Sequence, residues 1–344
     1  MKALVRKGLE AEQFFYEEVS KPNYMNNEAL IKIQAVGVCG TDYHMWTGGV
    51  ITDIPIIPGH EFCGIVEKVG SDVTSVKPGN KIVSRLNIGV CGTCRSCLSG
   101  NPHMCISREC PGFKREGAYA EYISIDAKQL IKLEDNVSFE EGALVEPMAI
   151  VATALLERAK IEPEDFVVVF GPGPIGLIAV QMAKIYGANK VIMIGTNVDE
   201  KMRLPLAKKI GADIVMNAQT QDIEAEIMKI TGGKGADLVV EASGSEPAIN
   251  SGLKVLRRLG RMCVLGLPSE QQNNISWLTA AEKSLSIIFS YSSAPWSWNT
   301  VTSMLARGVF DAKSLITHSY PLSEYKVMFD KIKKGEVVKG IFLP

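Results

Sequence analysis

The sequence predicts an α/β protein of two domains, a β-rich, barrel-like domain interrupted by a doubly wound parallel-sheet domain. Three observations lead there. The first 140 or so residues read as short strands between turns, the text from Asp165 alternates strand and helix, and the chain ends on a short apolar stretch, GIFLP, suited to rejoin the first domain.

Size and charge set the class. With 344 residues, 46% hydrophobic and 22% charged, the chain suits a globular, soluble protein with two substantial cores. A formal net charge of −1 and the lack of a basic stripe speak against a nucleic-acid surface. The start, MKALVRKGLEAEQFFYEEV, has no apolar core of signal-peptide length, and no run approaches the roughly 20 apolar residues of a membrane span. A cytoplasmic location is therefore expected. In that reducing compartment the 8 cysteines read as metal ligands or buried thiols rather than disulfides.

Each element has its own signal. EALIKIQAVGV, FCGIVEKVG, NKIVSRL and AYAEYISI carry β-branched residues with partial alternation, bounded by Gly, Pro, Asn and Asp. FEEGALVEPMAIVATALLERA has helical apolar spacing, with Pro147 expected to kink it or end a turn. DFVVVF is a continuous apolar run fit for a strand buried on both faces, and KVIMIG, DIVMN, DLVVEAS and GRMCVLGL follow at intervals filled by amphipathic helices. After about residue 285 this alternation fades.

Between DFVVVF and a helix stands Gly171-Pro172-Gly173-Pro174-Ile175-Gly176. In such a loop the first glycine makes the turn, the second admits a pyrophosphate, the third lets the helix pack closely, and the helix N-terminus favours the negative charge. Dinucleotide binding is the expectation. The acidic residue that usually grips the ribose of NAD about 20 positions later is missing, because VIMI runs into Gly195-Thr196-Asn197. Asp199 and Glu200 suit a helix start, and Lys201 and Arg203 suit either a 2′-phosphate or solvent. NAD and NADP both stay open.

Cys91, Cys94, Cys97 and Cys105 crowd into GVCGTCRSCLSGNPHMC. A tetrad this tight suits one tetrahedral Zn²⁺ with Zn–S bonds of about 2.3 Å, and its closed shell makes it structural. The chemistry must lie elsewhere. Cys39 in VCGTDYH and His60-Glu61 in GHEF are ligand types for a catalytic Zn²⁺ with one open position, the remaining protein ligand being Glu61 or Glu146 of VEP. Only 4 histidines exist, so His44 and His60 near Cys39 are informative.

VCGTDYH, GHEFCGIVEKVG, the cysteine lobe, ALVEP and GPGPIG, in that order, resemble the zinc-dependent medium-chain alcohol and polyol dehydrogenases over essentially the whole chain. The branch with sorbitol, threonine and sugar-alcohol phosphate dehydrogenases is most similar, because Glu146 stands where the alcohol dehydrogenases proper have a cysteine. The resemblance implies a GroES-like β-rich catalytic domain over 1–148, with the cysteine lobe at about 86–112, a Rossmann domain over 149–287, and a return segment over 288–344. It implies two zinc ions per chain and NAD or NADP, with Gly171, Gly173, Pro174, Ile175, Gly176, Gly195, Thr196 and Arg203 on the cofactor side. Cys39, His60 and Glu61 match catalytic-zinc ligands, with Glu146 a direct or water-linked one, while Thr41 and His44 match the proton relay. The implied reaction is reversible oxidation of a secondary alcohol of a polyol, sugar derivative or related hydroxy compound to a ketone by hydride transfer. A homodimer or homotetramer acting on a small molecule, without nucleic-acid or membrane partners, is implied as well.

Departures narrow this. The sorbitol dehydrogenases that resemble the chain carry an arginine where Ser290 stands and a tyrosine where Met45 stands, which puts sorbitol itself in doubt. Asp42 is expected to cap or orient its loop, and His103, His318 and Lys339 to lie on the surface or in loops. Cys63, Cys110 and Cys263 are expected as unliganded thiols, and Trp46, Phe113, Trp296 and Trp298 as packing residues first and pocket residues second. The competing class is a zinc-ribbon binding or redox-sensing protein without dehydrogenase activity.

Overall fold

The structure, a computed structural model, describes residues 1–268 and 270–344. It divides into two units, one of 1–149, 293–308 and 315–344, the other of 150–292 and 309–314.

The first unit contains β1 (Lys2–Arg6), β2 (Phe14–Glu18), β3 (Glu28–Gly37), β4 (Glu61–Val69), β5 (Lys81–Ser84), β6 (Tyr122–Asp126) and β7 (Leu130–Lys132). The second contains β8 (Phe166–Phe170), β9 (Lys190–Gly195), β10 (Ile214–Asn217), β11 (Ala236–Glu241), β12 (Leu256–Val264) and β13 (Ser286–Phe289), and the chain returns to the first with β14 (Ile316–Pro321) and β15 (Lys339–Leu343).

In the first unit β1 pairs with β2, and the larger sheet runs β14-β15-β3-β4-β5-β7 with β6 also on β3. The long strand β3 organises it: Ile31, Ile33 and Val36 are buried against Phe62, Val66, Ile82, Ile123 and Ile125. An aromatic cluster completes this core, with Trp46 stacked on Phe329 at 5.4 Å and Phe14 edge-on to both. Such contacts add about 0.5–1.5 kcal/mol each beyond area burial.

Register in this sheet places the candidate site residues. β3 and β4 are antiparallel with Gly37 opposite Glu61, so the loop leaving β3 at Cys39 meets the residues that open β4. β15 pairs with the other edge of β3, Ile341 opposite Gly37, which brings Lys339 to the same end.

The second unit is a six-stranded parallel sheet in the order β10-β9-β8-β11-β12-β13. The order reverses between β8 and β11, the place where doubly wound sheets open a crevice for ligands. Val167, Val168, Val169 and Phe170 are all buried, as a strand covered on both faces requires.

Pro147 interrupts its segment as expected: the helix Phe139–Ala143 ends at Leu144, and Pro147 lies in the first turn of the next helix, Val145–Ala152, where its missing N–H costs nothing, before a π-helical turn, Thr153–Arg158. Two other local expectations are corrected. The alternation does not end at 285, because SIIF forms β13, and a boundary at 287/288 would cut through it. Residues 309–314 belong with the second unit, since the Gln181 side chain donates to the Asp311 carbonyl at 3.0 Å and accepts the Asp311 N–H at 2.9 Å.

Candidate active site

Cys39 is the N-cap of the short helix Gly40–Trp46. Its N–H donates to Asp42 Oδ2 at 2.9 Å, which closes the first turn and fixes the cysteine. Glu61 opens β4 with His60 just before it, and the ligand atoms of Cys39, His60 and Glu61 lie within 4.8 Å of one another. All three are types that bind Zn²⁺. His60 Nδ1 faces Asp42 Oδ1 at 3.8 Å, and neither atom has a hydrogen-bond partner, so Nε2 is the ring atom left for a metal. Burial works against a charged imidazole, but the Cys39 thiol and the Asp42 carboxylate outweigh it and raise the His60 pKa well above its ordinary value. Those attractions are what a cation among these groups would replace.

Glu146 does not join this close triplet. It is buried in the same electrostatic environment, and burial, reinforced by Glu61, pushes its carboxyl up to about 7. Thr41 Oγ1 lies 3.6 Å from Cys39 Sγ, and His44, three residues on along the helix, is exposed. Phe113 packs its ring 5.5 Å from that of His60.

Two residues expected near the surface are buried instead. Lys339 is 2% exposed, pairs with Glu61, and donates to the Val38 carbonyl at 2.9 Å. Burial would lower its pKa, yet Glu61, Cys39 and Glu146 together raise it. The isolated KGIFLP text gives no sign of a charge partner; only strand pairing supplies one. His103 is buried within the cysteine lobe because its short 3₁₀ turn, Pro102–Met104, folds it inward. Trp46 and Trp298 are core residues, the latter donating to Ser293 Oγ at 3.0 Å.

The tetrad gathers as its spacing implies. Cys91 Sγ lies 3.6 Å from Cys105 Sγ and 4.0 Å from Cys97 Sγ, and all four sulfurs fall within 4.8 Å of one another. Bonds of about 2.3 Å to one tetrahedral ion put sulfurs about 3.8 Å apart, whereas a disulfide needs about 2.05 Å. N–H donors from Thr93 and Cys94 pull the Cys91 thiol down to about 6, while burial and Cys94 push Cys97 up to about 12. Four sulfurs this close cannot all ionise without a cation between them.

In the second unit the glycine loop follows β8 and opens the helix Pro174–Ile185. Gly171 has φ +92°, and a Cβ on Gly176 would sit 2.0 Å from the Gly171 carbonyl, so turn and helix can meet only without side chains. A cavity of about 860 Å³ lies beside this loop, lined also by Gly195, Thr196, Asp199, Arg203 and Ser243. The Asp199 carboxylate is engaged: it accepts from Thr196 N–H at 2.9 Å, Thr196 Oγ1 at 3.0 Å and Arg203 Nη1 at 3.3 Å. The cavity therefore meets a capped, neutralised acid at the end of β9.

A residue overlooked in the sequence holds another wall. Glu241, fully buried at the end of β11, accepts from Ser243 N–H at 2.8 Å, Ser243 Oγ at 2.5 Å and Gly244 N–H at 3.0 Å. An acidic residue closing an apolar strand, VVEAS, was the available signal.

Residues 25–135 match the alcohol dehydrogenase GroES-like domain, and residues 174–307 match the zinc-binding dehydrogenase domain. The chain is 34% identical to a sorbitol dehydrogenase of Halalkalibacterium halodurans, covering 100% of this chain and 99% of that one. The chain belongs to the zinc-dependent medium-chain dehydrogenases. This dehydrogenase is also 33% identical to a D-arabitol-phosphate dehydrogenase of Enterococcus avium, over 98% of its own length and 96% of the relative's. A zinc-binding dehydrogenase of Sinorhizobium meliloti 1021, solved with NADP bound, superposes with a TM-score of 0.90 at 25% identity, covering 100% of this chain and 99% of that one. The dehydrogenase is thus an oxidoreductase acting on alcohols with zinc and a nicotinamide dinucleotide, and the competing reading as a non-enzymatic zinc ribbon falls. Among the described residues no helix is long and apolar enough to cross a membrane.

Proposed function

We propose that this dehydrogenase oxidises a secondary alcohol of a polyol or sugar derivative, free or phosphorylated, to the ketone, reversibly, at a zinc centre held by Cys39, His60 and Glu61. The convergence of those three ligand atoms within 4.8 Å carries the reading. Zinc at that place supplies Lewis-acid polarisation of the substrate hydroxyl and lowers its pKa. Thr41, beside Cys39, is the hydroxyl that receives the substrate proton, and exposed His44, one helical turn on, passes it to solvent. A bound nicotinamide dinucleotide would supply the hydride acceptor for the carbinol carbon. Glu146, with a carboxyl near 7, is a buried acid able to approach the metal directly or through water.

Gly171, Gly173, Pro174, Ile175 and Gly176 hold the dinucleotide phosphates, and Gly195, Thr196 and Arg203 border its adenosine side. The full-length relatives named for sorbitol and for arabitol phosphate support the substrate class. The tetrad Cys91, Cys94, Cys97 and Cys105 holds the structural zinc. A homodimer or homotetramer in the cytoplasm belongs to the same reading.

The test is a panel of polyols, sugar acids, polyol phosphates, threonine and simple secondary alcohols, assayed with NAD⁺ and with NADP⁺. Turnover should appear with a polyol or its phosphate and vanish in Cys39→Ser and His60→Ala proteins that remain folded. Unchanged turnover in both variants would sink the zinc mechanism.

A further inference from the structure

We propose that Tyr119 is a positioning residue of the Cys39–His60–Glu61 centre: its phenol fixes the Asp42 carboxylate so that the remaining oxygen addresses the His60 imidazole. The inference rests on the reading of those three residues as a metal centre.

Tyr119 comes from a third stretch of chain and touches both segments that carry ligands. Gly117, Ala118 and Tyr119 donate their N–H groups to the carbonyls of Ile57, Gly59 and Pro58 at 2.7, 2.8 and 2.9 Å, so this stretch runs beside the peptide that enters His60. Gly59 has φ +90°, and a Cβ there would lie 2.5 Å from Tyr119 Cδ1. The ring therefore rests directly on the backbone that precedes His60. Its other edge packs against Phe342 at 5.2 Å.

The hydroxyl reaches the other segment. Tyr119 is fully buried, and a buried phenol needs an acceptor. It donates to Asp42 Oδ2 at 2.8 Å, the same oxygen that accepts the Cys39 N–H at 2.9 Å. With both donors on Oδ2, Oδ1 is left facing His60 Nδ1 at 3.8 Å, and both of those atoms lack a partner. A ligating imidazole that uses Nε2 carries its proton on Nδ1 and is oriented by whatever accepts that proton. Removing the phenol frees one side of Oδ2, letting the carboxylate turn on its remaining anchor, Cys39 N–H. Phenylalanine would fill the same space but leave this choice unmade.

The test uses the full-length protein and Tyr119→Phe, with metal content, chelator competition and cadmium NMR, which gives each metal site its own resonance. Wild type should hold two zinc ions. The variant should lose one of them roughly tenfold more readily, at the low end of what loss of a group supporting a ligand costs. The cadmium resonance of this centre should shift while that of the tetrad stays in place. Packing alone would change melting behaviour without moving that resonance. In an Asp42→Asn background, Tyr119→Phe should add little, because the carboxylate it acts through is gone. Wild-type metal retention and an unshifted resonance in Tyr119→Phe would overturn the proposal while leaving the zinc centre standing. A wild-type protein that takes only the tetrad metal would overturn both.

Discussion

Replacing Lys339 by methionine tests the buried charge balance beneath the proposed zinc centre. Lys339 and Glu61 are each 2% exposed and form a direct ion pair, and Lys339 also serves the Val38 carbonyl. Methionine fills much the same volume but leaves Glu61 as a buried anion without its cation. Removing one partner of such a pair costs about 3–5 kcal/mol, and the vacated carbonyl adds about 1 kcal/mol. When zinc occupies the site, its charge takes over part of the lysine's role, so the loss there should fall to roughly half. The assay is denaturant unfolding of wild type and variant, each compared in the same metal state, chelator-treated and zinc-loaded. Adding Glu61→Gln to Lys339→Met should recover most of the stability of the metal-free protein, because the stranded charge is then gone. Equal losses with and without zinc, or a metal-free loss below about 1 kcal/mol, would refute the reasoning.

Cys97→Ser should leave the lobe at 86–112 without a full tetrad, and the purified protein should contain one zinc where wild type contains two, as atomic absorption would show. Glu241→Ala strands the N–H groups of Ser243 and Gly244 beside the 860 Å³ cavity. Its KM for the dinucleotide should rise severalfold with a smaller change in kcat, and an unchanged cofactor KM would show that the loop holds its shape without the carboxylate. Gly176→Ala would place a methyl 2.0 Å from the Gly171 carbonyl, so calorimetric binding of either dinucleotide should weaken at least tenfold.

By itself the sequence determined what local chemistry can encode. The unbroken apolar run VVVF marks a doubly covered strand, the glycine loop marks a turn that must stay bare, and four cysteines within fifteen positions define their own site because short loops leave the sulfurs few other places to go. Cys39, His60 and Glu61 were legible as ligand types, though which of Glu61 and Glu146 stands closest was open. The register of β3 on β4 sets Gly37 opposite Glu61 and so brings Glu61 to Cys39, while Glu146, on the helix Val145–Ala152, stands outside the close triplet. Lys339 was misplaced for the same reason. A lysine in KGIFLP looks solvated until β15 pairs with β3 and delivers it to a buried carboxylate some 280 positions away in sequence, for a separation of 278 residues. Tyr119 and Asp42, 77 residues apart, met only through folding as well. Periodicity and short motifs report contacts along the chain; pairing between strands and burial of opposite charges are fixed by nonlocal packing, and only the tertiary structure could decide them.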